Sequence, residues 1–198
     1  MLSLIESRLA NYRPQTVNLQ LPEAGVLIAI TDEVSPKVVL TKRASNLSSH
    51  SGEIAFPGGK RDATDSDIVY TALREAHEEV DLLPENVRVI SRLDERVSLH
   101  NLKVSPCVGI IDADLKLQPN IGELDCVFKA PLNFFLDQSN RCDHLPSYQS
   151  KSRFAPCYLY NGHLIWGLTS YMLMEFLNVA LNANIVLAPR PDELHTNL

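Results

Sequence analysis

The clearest structural signal in the chain is the segment GGKRDATDSDIVYTALREAHEEVDL, residues 58–82. It begins with a glycine pair directly after Pro57, a combination that is typical of a turn. Asp65 or Thr64 is the expected N-cap of a following helix, because a short polar side chain satisfies the free backbone N–H groups of a first turn. Apolar side chains recur every three or four residues and predict that helix over residues 66–80: Ile68, Ala72, Leu73, Ala76 and Val80.

Three carboxylates share one face of this predicted helix. Glu75, Glu78 and Glu79 stand at positions i, i+3 and i+4, near the C-terminal end, where the helix dipole disfavours negative charge. Arg74 can reach Glu78, but one guanidinium cannot neutralise three acids. A hard divalent cation relieves such repulsion, because Mg²⁺ and Mn²⁺ prefer oxygen ligands and bind a few carboxylates together with substrate phosphates. We therefore expect an Mg²⁺ or Mn²⁺ site formed by the three glutamates, with the Gly59 carbonyl as a further ligand.

Short strands and helices alternate around this segment and predict an α+β or α/β/α sandwich. The whole chain, residues 1–198, is expected to form one domain with a core over about 22–183 and a loosely held tail over 188–198. Strands are predicted at 25–30, 38–41, 54–56, 87–93, 104–111, 124–130, 158–160 and 163–166. Helices are predicted at 2–11 and 132–137, a last amphipathic helix at 169–181, and a polar loop at 137–153.

Composition limits the classes of partner. The net charge is −6 and the pI is about 5.5, which disfavours a nucleic-acid backbone binder, since such proteins carry a basic surface. The four cysteines stand far apart with no CxxC pair, so we expect reduced thiols rather than disulfides or a zinc site. The N-terminus lacks the pattern of a secretory signal, and no stretch of 18 uncharged apolar residues exists. The sequence therefore predicts a cytoplasmic protein that binds no membrane; it leaves the choice between a monomer and a homodimer open.

The segment resembles the Nudix box, whose family pattern is Gly-x5-Glu-x7-Arg-Glu-U-x-Glu-Glu-x-Gly-U, where U is a bulky aliphatic residue. Gly59, Leu82 and the Arg-Glu-x-x-Glu-Glu core over residues 74–79 match, and the first U is a small alanine. Two positions differ: the first acidic residue is Asp65, which eight residues instead of seven separate from the arginine, and Asp81 replaces the last glycine. Such a glycine ends a helix in the left-handed region, which Asp enters more readily than most residues.

The expanded spacing is similar to that of the Nudix subfamily that acts on coenzyme A. That subfamily also has an upstream signature of the form Leu-Thr-x-Arg-Ser/Ala-x3-Arg-x3-Gly-x3-Phe-Pro-Gly-Gly. Here the corresponding stretch is LTKRASNLSSHSGEIAFPGG, residues 40–59, which departs from it only at Ser48, where the subfamily has Arg. The resemblance implies a Nudix fold, with a mixed sheet between helices and the box as a loop–helix–loop. It also implies metal-dependent hydrolysis of a small nucleotide-type diphosphate, with coenzyme A giving 3′,5′-ADP and 4′-phosphopantetheine.

Two groups of residues are predicted to serve that chemistry. Arg74 orients the glutamates, and the base that activates water is Glu78 or Glu79, with Glu123 as the alternative, while Glu75 belongs to the same catalytic set. The candidates for substrate binding are Arg43, His50, Lys60 and Arg61.

Two further readings of the sequence stay open. The first keeps the fold but changes the substrate to ADP-ribose, a dinucleotide or a modified nucleotide; the missing Arg at Ser48 supports it, since an anionic group would lose a contact. The second is a non-catalytic nucleotide-binding module, which three intact glutamates disfavour.

Overall fold

A computed structural model describes residues 1–46, 50–144, 147–148, 151–152 and 155–187. The helices are α1 (Leu2–Asn11), α2 (Ile68–Val80), α3 (Leu132–Leu136) and α4 (Gly167–Leu181). The strands are β1 (Glu23–Asp32), β2 (Lys37–Arg43), β3 (Ile54–Ala55), β4 (Gly58–Lys60), β5 (Arg88–Arg92), β6 (Arg96–Val97), β7 (Lys103–Asp112), β8 (Leu124–Pro131), β9 (Arg141–His144), β10 (Ser147–Tyr148), β11 (Lys151–Ser152), β12 (Ala155–Tyr160) and β13 (His163–Ile165).

The main sheet is mixed. Its central order is β3-β2-β1-β7-β5, with β8 paired to β2, β4 to β1 and β6 to β7. The β1–β7 pair is parallel and runs in register from Glu23–Lys103 to Asp32–Asp112, whereas the other pairs are antiparallel. These two long strands are buried along nearly their whole length, as expected for parallel strands that are covered on both faces.

Helices cover both faces of this sheet, so the predicted sandwich is confirmed. On one face, α2 packs on a cluster that includes Leu27, Val39 and Cys107. On the other face, α1 and α4 share a larger cluster with side chains such as Ile28. Strand β1 needs a glycine beneath α2, because a Cβ at Gly25 would lie 2.6 Å from the Ile68 carbonyl oxygen. That close approach fixes α2, with its glutamates, on the sheet.

Three sequence predictions about elements were wrong. The Gly58-Gly59 turn is in fact strand β4, which pairs antiparallel with β1. The polar loop expected over 137–153 contains β9, which pairs with β12. Helix α4 is not amphipathic, since every side chain from Ser170 to Leu177 is buried between the sheet and its neighbours.

The cysteine prediction also needs correction. Cys142 on β9 and Cys157 on β12 are cross-strand partners and form a disulfide, while Cys107 and Cys126 are free thiols. Sequence separation carries no sign of this pairing, because β9 itself was hidden in a polar stretch. None of the helices in the described ranges has the length and hydrophobicity needed to span a lipid bilayer. The tail over 188–198 lies outside the described residues.

Candidate active site

Helix α2 presents the acidic cluster and has a well-defined cap at each end. Its N-cap is Asp67, whose side chain accepts a hydrogen bond from the Tyr70 N–H at 2.8 Å. The predicted caps, Asp65 and Thr64, were wrong by two or three residues. At the C-terminal end Asp81 adopts the left-handed conformation with φ 57°, as the sequence indicated, and its N–H donates to the His77 carbonyl.

Asp65 instead forms a bidentate ion pair with Arg74, the arginine of α2. Its two carboxylate oxygens accept from Arg74 Nε and Nη2, each at 3.0 Å, and further bonds come from the Thr71 hydroxyl and the Asp62 N–H. The Asp65 side chain is fully buried. Hydrogen bonding to Arg74 holds the pKa of Asp65 well below its usual range and raises that of the guanidinium. The pair is therefore ionised at any ordinary pH.

From this fixed position Arg74 reaches two of the glutamates. Its Nη1 donates to Glu78 Oε2 at 2.9 Å, and its Nη2 lies 3.0 Å from Glu75 Oε1. The same Nη2 donates to the Lys60 carbonyl, which ties the helix to β4. Arg74 thus holds two of the carboxylates in place, and its orienting role in catalysis stays a prediction.

The glycine pair on β4 lies directly against the carboxylates of Glu79 and Glu75. Glu79 accepts a hydrogen bond from the Gly58 N–H at 3.0 Å. A Cβ on Gly59 would stand 2.4 Å from Oε2 of Glu75, so any side chain at this position would displace the carboxylate from where it lies. Residues far apart along the chain thereby meet, with bare backbone on one side and acid side chains on the other.

Ionisation of two of the glutamates, Glu75 and Glu79, is disfavoured in the folded protein. Burial raises the pKa of Glu79 to about 7, with further repulsion from Glu75 and Glu123. Burial also raises the pKa of Glu75, against the attraction of Arg74. Glu78, in contrast, has 54% of its side chain exposed. A cation placed beside Glu75 and Glu79 would relieve this cost of burying like charges.

Arg43 and Glu123 are brought together beside the cluster by an irregularity between β2 and β8. Lys42 pairs with Cys126 but Arg43 pairs with Leu124, which leaves Asp125 as the extra residue of a bulge. The positive charge of Arg43 acts on Glu79, and its buried Nε has no hydrogen-bond partner among the described residues. Glu123 adds negative charge to the same cluster.

The remaining predicted substrate residues have other contacts. Arg61 donates to Glu23 at 2.8 Å and to two backbone carbonyls at the start of α2. His50 is exposed, with Nδ1 2.8 Å from Glu53 Oε2, and its ring meets His100 edge-on. Lys60 is exposed on β4. Substrate contact by these three stays a prediction, and Ser48 lies outside the described residues.

The comparisons with known proteins identify the family. A family model described as NUDIX domain matches residues 21–113, which include the whole acidic segment. An uncharacterized Nudix hydrolase, NudL of Pectobacterium atrosepticum, is 38% identical over 157 residues, covering 77% of this chain and 80% of the relative. The chain belongs to the Nudix hydrolase family. Nudix hydrolase 15 of Arabidopsis thaliana, a mitochondrial protein, is 39% identical over 164 residues; the match takes in 79% of this chain but only 58% of that protein.

Solved structures support the fold alone. The Nudix hydrolase RenU of M. smegmatis superposes with a TM-score of 0.56 at 19% identity and covers 85% of this chain and 90% of its own. A MutT/nudix family protein of Enterococcus faecalis gives 0.53 at 13% identity, covering 92% and 70%. The mixed sheet between helices is therefore the Nudix fold that the sequence predicted.

The Nudix box of this chain fits a hard divalent cation. Glu75, Glu79 and the Gly59 carbonyl offer oxygen donors. Any side chain at position 59 would fill the space beside the backbone in which the Glu75 carboxylate lies. Across the described ranges, no three side chains of His, Cys, Asp or Glu already converge as a complete set of metal ligands. Glu78 is drawn to Arg74 instead, so it would join a cation only by turning from that ion pair.

Sequence reasoning missed two parts of this Nudix site. The ion pair that Asp65 forms with Arg74 was not predicted, although Asp65 occupies the acidic position of the box pattern. The contact of the Gly58 N–H with Glu79 had no sequence signal, because it depends on β4 pairing with β1.

Proposed function

We propose that this Nudix protein hydrolyses the diphosphate linkage of a nucleotide derivative with Mg²⁺ or Mn²⁺, and that its substrate is coenzyme A. The products would be 3′,5′-ADP and 4′-phosphopantetheine. The observation that carries the proposal is the pair of buried Glu79 and half-buried Glu75, held against the Gly58-Gly59 backbone and faced by Arg43. A folded protein that only bound nucleotides would gain nothing from holding two repelling acids out of water at this point.

Each side chain has a distinct role in this proposal. Glu75, Glu79 and the Gly59 carbonyl would hold the cation, with Glu78 as a further ligand. When bound, the cation neutralises the diphosphate, polarises a phosphoryl oxygen and acidifies water. Arg43 would bind a phosphate oxygen, since its Nε is buried with no hydrogen-bond partner in the described part of the chain and an arginine fork matches phosphate geometry.

Glu123 is the proposed general base, in place of Glu78 or Glu79, which the sequence favoured. Glu78 already accepts from Arg74, and Glu79 accepts from the Gly58 N–H. The Glu123 side chain is exposed, and its charge reaches both Glu75 and Glu79. A carboxylate at that place can take the proton of an attacking water onto its oxygen while the metal-binding glutamates stay on the cation.

The choice of coenzyme A rests on the upstream signature over residues 40–59, whose arginine, Arg43, lies at the cluster. ADP-ribose, dinucleotides and modified nucleotides remain the competing substrates, because Ser48 removes one cation that the subfamily pattern has.

Product analysis tests the proposal. The purified protein is incubated with Mg²⁺ or Mn²⁺ and, in separate reactions, coenzyme A, ADP-ribose and a dinucleotide, and the products are separated by chromatography. Preferential release of 3′,5′-ADP from coenzyme A supports the proposal. Faster turnover of ADP-ribose or the dinucleotide overturns the substrate, and binding without turnover of any diphosphate overturns the enzyme assignment.

A pair of matched variants separates the site from nonspecific loss. Glu79→Gln removes a buried cluster acid and should abolish turnover. Glu85→Gln makes the same change on the exposed turn after α2 and should leave turnover unchanged. Equal activity of the two variants would remove Glu79 from the site.

A further inference from the structure

The segment that leads into β8 joins both sides of the site and ends at Glu123. The Gln118 N–H donates to the Val80 carbonyl at 3.0 Å, and the Asn120 N–H donates to the Glu79 carbonyl at 2.8 Å. Glu79 thus faces the cluster with its side chain and anchors this segment with its backbone. Because the last carbonyls of a helix lack partners within it, they are natural attachment points for a following segment.

Asn120 then closes a tight turn. Its side-chain Oδ1 accepts from the Gly122 N–H at 3.1 Å, which is the Asx-turn geometry. Its carbonyl accepts from the N–H groups of Glu123 at 2.9 Å and of Leu124 at 2.8 Å. One residue therefore fixes three consecutive N–H groups around Glu123.

The far side of the turn is attached to the strand that carries Arg43. The Ala44 N–H donates to the Glu123 carbonyl at 2.8 Å. At the bulge, Asp125 pairs with Lys42 at 3.3 Å and accepts from the Ser45 N–H. Backbone hydrogen bonds therefore attach Glu123 to α2 on one side, through Asn120, and to the end of β2 on the other. Its side chain is exposed.

We infer that Asn120 is the positioning residue that holds Glu123 against the acidic cluster. This inference rests on the proposed function for its catalytic consequence. Without the Asn120 side chain, the Gly122 N–H loses its acceptor, and the turn gains freedom while its backbone links to Glu79 remain. A general base is effective only within hydrogen-bond reach of the proton that it takes, so a loosened turn lowers turnover rather than substrate affinity.

Kinetics of three variants test the catalytic part, measured on the substrate that the protein turns over fastest. Asn120→Ala should lower kcat at least tenfold with KM within about twofold. Asn120→Ser should restore part of that loss, because a neutral hydroxyl makes the same turn more weakly. In a Glu123→Gln background, Asn120→Ala should cause no further fall in kcat, since both changes remove the same function. Equal losses in both backgrounds would show that Asn120 does not act through Glu123.

Amide hydrogen exchange followed by NMR tests the structural part without any turnover. Asn120→Ala should speed exchange at the Gly122 and Ala44 amides, and Asn120→Ser should slow it again. Asp137→Ala is the matched control, because it removes a similar turn, Oδ1 to the Ser139 N–H, elsewhere in the fold. Unchanged exchange at Gly122 and Ala44 would overturn the inference. If the wild type hydrolyses no diphosphate, the proposed function fails, and exchange still decides whether Asn120 holds the turn.

Discussion

Replacing Glu79 with Gln should stabilise the metal-free protein while it destroys the site. Burial raises the pKa of Glu79 to about 7 from an ordinary value of 4.5, so ionising this side chain costs free energy only in the folded state. At 1.36 kcal/mol per pH unit, the full penalty is about 3 kcal/mol. Glutamine removes the charge but keeps an oxygen that accepts from the Gly58 N–H.

The sign of the pH dependence follows from the raised pKa of Glu79. Below about pH 4.5 the group is protonated in both states, so wild type and variant should be equally stable. As pH rises toward 7 the unfolded chain ionises first, and the wild type loses stability relative to Glu79→Gln. The difference should be about 1 kcal/mol at pH 5 and about 3 kcal/mol at pH 8.

Urea unfolding in EDTA at pH 5 and pH 8 measures this difference. Glu78→Gln is the control: its side chain is 54% exposed, and its effect should stay within about 0.5 kcal/mol at both pH values. Added Mg²⁺ should stabilise the wild type and leave Glu79→Gln unchanged, because a ligand stabilises only the state that binds it. A Glu79→Gln effect of the same size at pH 5 and pH 8 would mean that burial does not raise the pKa of Glu79.

Three other changes have definite expected outcomes. Gly59→Ala should lower kcat on the diphosphate substrate at least tenfold, since its Cβ would stand 2.4 Å from the Glu75 carboxylate. Far-UV circular dichroism should be unchanged. Full activity would mean that the position of the Glu75 carboxylate against Gly59 does not matter for turnover. Asp65→Asn should reduce the free energy of unfolding by about 3 kcal/mol, because Arg74 keeps its charge and loses a buried partner. A loss below about 1 kcal/mol in urea unfolding would mean that the Asp65–Arg74 ion pair does not stabilise the fold. Gly25→Ala should cost about 1–3 kcal/mol in the same assay, since its Cβ would lie 2.6 Å from a carbonyl of α2, and a neutral effect would mean that α2 can shift freely.

Local patterns gave correct predictions where the chemistry is local. The period of apolar residues located α2, and the i, i+3, i+4 spacing placed the glutamates on one face. The left-handed cap at Asp81 followed from the glycine that the family pattern has at this position and from the readiness of Asp to adopt that conformation. The hairpin between β12 and β13 turns at Asn161 and Gly162, both with positive φ, as that dipeptide predicts.

The errors arose where distant segments decide the structure. Asp65 has the side chain of an N-cap, but Arg74, nine residues later, takes both of its oxygens, and Asp67 caps the helix instead. Two glycines are a turn signal in isolation, yet β1 supplies a partner strand and makes them β4. Strand β9 is too polar to show a pattern of its own, and it exists through pairing with β12.

The same distinction holds within the site. The acids were evident from sequence because they lie on one helix. The elements that give them their chemistry, the Gly58 N–H, the bulge beside Arg43 and the turn at Asn120, come from other strands and loops. Their contribution depends on backbone geometry, which residue type alone does not report.

Anomalous diffraction from crystals grown with Mn²⁺ would show whether the acidic cluster binds a metal ion. We expect a manganese peak between the carboxylates of Glu75 and Glu79, within ligand distance of the Gly59 carbonyl, and no such peak in Glu79→Gln. A manganese-loaded wild type with this position empty would mean that the glutamates of α2 are not a metal site.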